Sequence, residues 1–148
     1  MEQGLLHAHS WLRWVLLLIA VLAIVSSLGG WLSKKPFNAT HKRLGLFLTI
    51  TADVQLLIGL VLYFFTSAII KAAFQDFGAA MKTPEIRFYA VEHILVMIIG
   101  IVLFHIGKSK AKKADSDIKK HKLSVMYYGI GLVLILSRIP WGAERLEF

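Results

Sequence analysis

Four stretches of this chain, 10–32, 44–66, 88–107 and 123–140, are apolar on nearly every side. Each approaches the roughly 20 residues that a helix needs to cross the hydrocarbon of a bilayer. A water-soluble four-helix bundle would carry a polar stripe along each helix. None of the four stretches has one, and 57% of the 148 residues are hydrophobic. The sequence therefore specifies an all-α fold, an integral membrane four-helix bundle in a single domain, 1–148, with little outside the bilayer.

Lysine and arginine outnumber aspartate and glutamate by 17 to 9, a net charge of +8. Placement decides what that excess means. Lys34, Lys35, Lys42 and Arg43 lie in the first connection, and seven lysines between Lys108 and Lys122 lie in the third. The second connection has only Lys71, Lys82 and Arg87, offset by Asp76 and Glu85. The positive-inside rule then puts connections one and three in the cytoplasm and both termini outside. The charge reads as a topology signal facing the lipid bilayer and its anionic headgroups, and nucleic acid is not an expected partner. The absence of cysteine excludes disulfides, iron–sulfur clusters and thioether-linked haem.

The third stretch, FYAVEHILVMIIGIVLFHIG, carries Glu92, His93 and His105. Ionisable groups are costly at membrane depth and normally face a bundle interior. At 100° per residue His93, Met97, Gly100 and Phe104 form one stripe, with His105 about 120° round, so a wide inward face would present both histidines. Gly100, below His93, is expected to leave room for a flat macrocycle.

Residues 1–9 read as a short outer segment holding His7 and His9, with Ser10 as the N-cap of a retained first helix rather than of a signal peptide. Trp11 and Trp14 suit an interfacial belt. His9 and Arg13 share a face with Ala20, Ala23 and Ser27, which is expected to point inward. Pro36 and Asn38 break the chain, and His41 falls just before the second helix. In that helix Thr49, Asp53, Leu56, Gly59 and Tyr63 form the expected inward line. Gln55, about 200° from Asp53, then bonds a neighbouring helix or protomer. Asp53, with Gln55, is the candidate proton relay. Residues 67–87 hold an amphipathic piece, Ile69 to Met81, that Gly78 bends and that would lie over His93. The fourth helix aligns Tyr127, Gly131, Leu134 and Arg138. Pro140 and Trp141 follow, and the tail AERLEF is too short to fold alone.

Aligning the helices by depth collects His9, Arg13, Glu92, His93 and Arg138 at one outer level, with His7 above. His41, His105 and His121 collect at the inner level. Arg13, Glu92 and Arg138 are expected to form a buried charge network. Two histidine clusters at opposite faces of a membrane bundle suit two haems, each held by two imidazoles with basic residues at the propionates.

HSWLRW at 9–14, DVQLLIGLVLYF at 53–64, VEH at 91–93 and IPW at 139–141 resemble small bacterial four-helix membrane proteins labelled cytochrome b. The resemblance runs along all four helices. It implies a membrane b-type cytochrome-like electron-transfer protein in the bacterial inner (cytoplasmic) membrane, exchanging electrons with quinone as a quinone-linked oxidoreductase. His9 and His93 would be the ligands of haem b, with Arg13 and Arg138 at its propionates. A second haem would fall to His41 and His105, although His41 and His121 lie in or beside loops.

Two other readings stand beside this one. The first is a zinc, copper or iron site made by His7, His9, Glu92 and His93, with Asp53 relaying protons. The second is a non-catalytic subunit of a larger membrane complex. A homo-oligomer is compatible with all three.

Overall fold

The structure, a computed structural model, describes residues 2–141, so the AERLEF tail lies outside the described residues. The first helix, α1, spans Glu2–Leu32 and begins well before Ser10. No proline stands between Glu2 and Ser10, the helix carries through Gly4, and Glu2 in the first turn complements the helix dipole. Residues 7–9 are therefore helical, and Ser10 is interior rather than a cap. The helix ends where Lys34 takes a left-handed backbone (φ 53°) and the Lys35 N–H bonds back to the Gly30 carbonyl at 2.9 Å.

Helix α2 runs Ala39–Val61. The Asn38 side chain accepts from the Thr40 and His41 amides, at 3.0 and 3.4 Å. In return the Asn38 N–H donates to His41 Nδ1 at 3.2 Å, a capping box with histidine in the place of glutamate. His41 thus belongs to the first turn of α2 instead of preceding it. A wider turn, Leu62–Thr66, continues the helix, and its Ser67 N–H reaches the Leu62 carbonyl, five residues back.

Two short helices follow, α3 (Ala68–Gln75) and α4 (Phe77–Lys82). The break between them falls at Asp76, whose side chain caps α4 through the Ala79 amide at 3.1 Å, while Gly78 lies inside α4. Ile70, Ala73 and Ala80 are buried against Ala90, and Phe74 and Phe77 stack on the outside. Pro84 opens α5 (Pro84–Arg87), which passes through a second wide turn, Phe88–Glu92, into α6 (His93–Lys113). The Tyr63 hydroxyl donates to the Ala90 carbonyl at 2.6 Å and so ties the two wide turns together. Ser116 caps the last helix, α7 (Asp117–Ser137), through the Lys119 amide.

The four long helices pack in a ring: α1 on α2, α2 on α6, α6 on α7, and α7 on α1. Leu16, Ala20, Leu48, Ala52, Phe104 and Ile135 fill the centre. The closest approach is between α6 and α7. A Cβ at Gly100 would meet Ile135 at 2.7 Å and the Gly131 carbonyl at 3.1 Å, and one at Gly131 would meet Phe104 and the Gly100 carbonyl. Gly100 therefore serves a helix crossing rather than a macrocycle.

Large apolar side chains such as Leu18, Val25, Leu57 and Val133 cover the outside of the ring. Three helical segments, Glu2–Leu32, Ala39–Thr66 and Pro84–Lys113, are long and apolar enough to cross a membrane. These are the features of a multi-pass membrane protein. The first turns of α7 hold Lys119, Lys120, His121 and Lys122, which dilute its apolar stretch.

Candidate functional site

At the N-terminal end of α1, residues that face the ring stand opposite residues of α6. Between them lies a cavity of about 510 Å³, within the roughly 300–1,000 Å³ of pockets that enclose small ligands and cofactors. His7, His9 and Arg13 line it from α1, Gln55 and Gly59 from α2, and His93 and Met97 from α6. Tyr63 and Tyr89 border it at the wide turns, and Ile135 and Ile139 close it from α7 and beyond.

The His9 and His93 imidazoles thus line one space with His7, and of these rings His93 is held by backbone. His93 Nδ1 lies 2.7 Å from the Arg138 carbonyl. A carbonyl only accepts, so Nδ1 carries the proton and Nε2 keeps its lone pair, the tautomer that a metal-ligating imidazole uses. On the opposite wall Gln55 Nε2 donates to the His9 carbonyl at 2.9 Å, which fixes α1 against α2 at that level. His9 Nδ1 and Gln55 Oε1 are buried with no hydrogen-bond partner. Buried polar atoms are nearly always paired, so these two are the positions where a ligand would be bonded. A Cβ at Gly59 would sit 3.1 Å from His9 Cε1, so glycine here leaves the ring its place.

The structure brings His7, His9, Arg13 and His93 together at this cavity, as the depth alignment expected. It separates the rest. Glu92 turns away to lie 3.6 Å from Arg87 Nε and 4.0 Å from Arg138 Nη2, with all three side chains about a third or more exposed. The expected buried network of Arg13, Glu92 and Arg138 is instead a half-exposed bridge from Glu92 to Arg87 and Arg138. Arg13 stands beside Trp14 and Trp141, 5.2 and 5.8 Å from their ring centres. Arg138 contributes its carbonyl, through His93, rather than its guanidinium. Among the described residues no three His, Asp or Glu side chains are gathered to hold a metal ion. The set His7, His9, Glu92 and His93 is thus not assembled: Glu92 points elsewhere, and His7, His9 and His93 share the cavity without converging as a metal-holding group.

Along α2 the assignment of the two polar residues is reversed. Gln55 is buried beside Thr49 and Ala52, whereas Asp53 is half exposed and bonded to His105 Nε2 at 2.7 Å. Neither Asp53 nor His105 faces the interior, so the expected inward line through Asp53 is corrected to one through Gln55. Both steps, 52 to 55 and 55 to 59, keep a helix face, and that face carries the small residues Ala52 and Gly59 on either side of Gln55.

At the other end of the ring His41 and His121 do meet, with ring centres 4.6 Å apart and Phe37 against both. His121 is fully buried, and its ring occupies the space a Gly30 side chain would take. Its Nε2–H donates to the Lys35 carbonyl at 3.0 Å. His105 is not part of this group. The residues that sequence reasoning did not single out are Arg87, Phe37 and Tyr89. Only Phe37, next to Pro36 in a charged turn, gave a signal, as an aromatic with no other reason to be there. Compared with known protein families, with curated proteins and with solved structures, the chain matches none.

Proposed function

We propose that this chain is a membrane b-type cytochrome-like electron-transfer protein that holds one haem b in the cavity between α1 and α6. In this reading all four long helices cross a bacterial cytoplasmic membrane, with the lysine-rich connections inside and both termini outside. The observation that carries it is the pair of imidazoles lining one cavity of cofactor size, one of them locked by a backbone carbonyl in the ligand tautomer. The unpartnered His9 Nδ1 supports it further.

A bound haem would supply one-electron redox chemistry. The chain's own residues do the positioning. The Arg138 carbonyl orients the His93 ring, and the Gln55 amide holds α1 at His9. Met97, Ile101, Ile135 and Ile139 make a dry wall, and Arg13 brings positive charge to the rim for an anionic propionate. Quinone as the exchange partner rests on the resemblance to small bacterial cytochromes b. A second haem is not part of the proposal, since the Phe37, His41 and His121 rings pack on one another.

The test is an absorption spectrum of full-length protein produced with ample haem and purified in mild detergent. A Soret band that shifts on reduction, at about one haem per chain, supports the reading. Colourless, folded protein that takes up no added haem refutes it.

A further inference from the structure

Asp53 and His105 take no part in either histidine end. They meet across the outer surface of α2 and α6, Oδ1 to Nε2 at 2.7 Å, with side chains 50% and 47% exposed. Neither makes another hydrogen bond among the described residues. Asp53 lies ten residues beyond Arg43, about 15 Å along the helix axis at 1.5 Å per residue. It is the one charged residue between 44 and 66, so Asp53 sits inside the apolar span, while His105 stands one turn before Lys108, toward the inner end of its own span.

The outer face of α1 shows what a lipid-facing surface of this protein looks like. Leu18, Val21, Leu22 and Val25 are exposed there with no polar group among them. The α2–α6 face is just as apolar around its centre, with Ile50 and Leu57 flanking Asp53 and Ile98 and Val102 preceding His105. It differs by one half-exposed carboxylate–imidazole pair. Acyl chains offer that pair neither donor nor acceptor, and ionisable groups at this depth otherwise face protein.

We propose that this face is the contact between two copies of this chain in the membrane, related by a two-fold axis passing beside Asp53 and His105. The pair is self-complementary, which is what such an axis requires. Asp53 keeps unused lone pairs, and His105 keeps a second ring nitrogen, Nδ1. The axis sets each imidazole against the other copy's carboxylate. Each carboxylate then meets one imidazole of its own copy and one of the other. A partner surface of a single sign would leave half of the pair unmatched. The inference rests on α2 and α6 crossing a membrane and is independent of the haem reading.

The chain has no cysteine, so single cysteines report contacts cleanly. Leu57 and Val25 are matched in exposure, 63% and 60%, and neither fills the core. Leu57→Cys and Val25→Cys are made in the full chain and oxidised with copper phenanthroline in native membranes. The expected result is a disulfide-linked dimer of this chain from Leu57→Cys and monomer from Val25→Cys. Adding Asp53→Asn to Leu57→Cys should weaken the dimer about tenfold, read as the protein-to-lipid ratio at half cross-linking.

Monomer from both variants overturns the proposal and leaves lipid on the face. Equal cross-linking from both marks random collision and also overturns it. An adduct between Leu57→Cys and a different protein assigns the face to that partner instead. A dimer insensitive to Asp53→Asn removes the role given to the polar pair.

Discussion

Two pairs of histidines sit at opposite ends of one ring of helices, and their surroundings are opposite too. His9 and His93 face a cavity of about 510 Å³. His41 and His121 face each other and Phe37, with no space between the rings. At the cavity end His93 spends Nδ1 on the Arg138 carbonyl and keeps Nε2, and His9 Nδ1 has no partner. At the packed end one nitrogen of each ring secures the chain turn, and His121 Nδ1 is likewise buried without a partner. His41 Nδ1 takes the Asn38 N–H, and His121 Nε2–H holds the carbonyl of Lys35, the residue after the left-handed Lys34. Equal residue types thus serve a candidate ligand site at one end and a structural clasp at the other. What separates them is that one pair of rings lines a shared cavity while the other pair packs ring on ring.

Stability measurements break or sharpen this contrast. His121→Ala removes a fully buried ring and its bond to Lys35, so it should cost about 3–4 kcal/mol. His9→Ala, which enlarges an existing cavity, should cost no more than about 1 kcal/mol in haem-free protein. Thermal unfolding in detergent checks both, at about 2–4 °C per kcal/mol for a chain of this size. Equal losses would mean that both ends are clasps.

The glycines beside the two rings extend the comparison. A Cβ at Gly30 collides with the His121 ring, which is fully buried. Gly30→Ala should therefore cost about 1–3 kcal/mol by overpacking. A Cβ at Gly59 stands 3.1 Å from His9 Cε1, and that ring can yield by a few tenths of an ångström into the cavity. Gly59→Ala should stay under about 1 kcal/mol. Reversal of this order would place the rigid packing at the wrong end.

The smallest effect belongs to the charges at the rim. Glu92 bridges Arg87 and Arg138 with its side chain 32% exposed, so Glu92→Gln should change stability by about 0–1 kcal/mol. A loss above about 3 kcal/mol would restore a buried network of the kind expected from sequence.

Much of the architecture was legible because apolar stretches one bilayer long leave few alternatives. The stripe of His93, Met97 and Phe104 does face inward, and so does the Ala20, Ala23 and Ser27 seam. The choice between Asp53 and Gln55 was not legible. On a helix apolar all round, periodicity cannot say which face is interior, and burial followed the smaller neighbours of Gln55 instead of the more ionisable residue. His105 went outward because a position 120° from the inward stripe passes beyond the packed sector. Helix starts were missed where the capping signal was an unusual one. Glu2 opens α1 without a conspicuous cap, and at Asn38 the capping partner is a histidine rather than glutamate. The Asp76 break was obscured by the nearby Gly78, although a short acidic side chain is the better N-cap.

The contrast between the two ends is tested most directly by one set of three spectra. Wild type, His93→Ala and His121→Ala are produced with ample haem, purified in parallel and compared in the Soret region at equal folded protein. The account predicts a Soret band in wild type, its loss in His93→Ala, and an unchanged band per folded chain in His121→Ala. A band that survives in His93→Ala and disappears in His121→Ala would move the cofactor to the packed end and contradict the account.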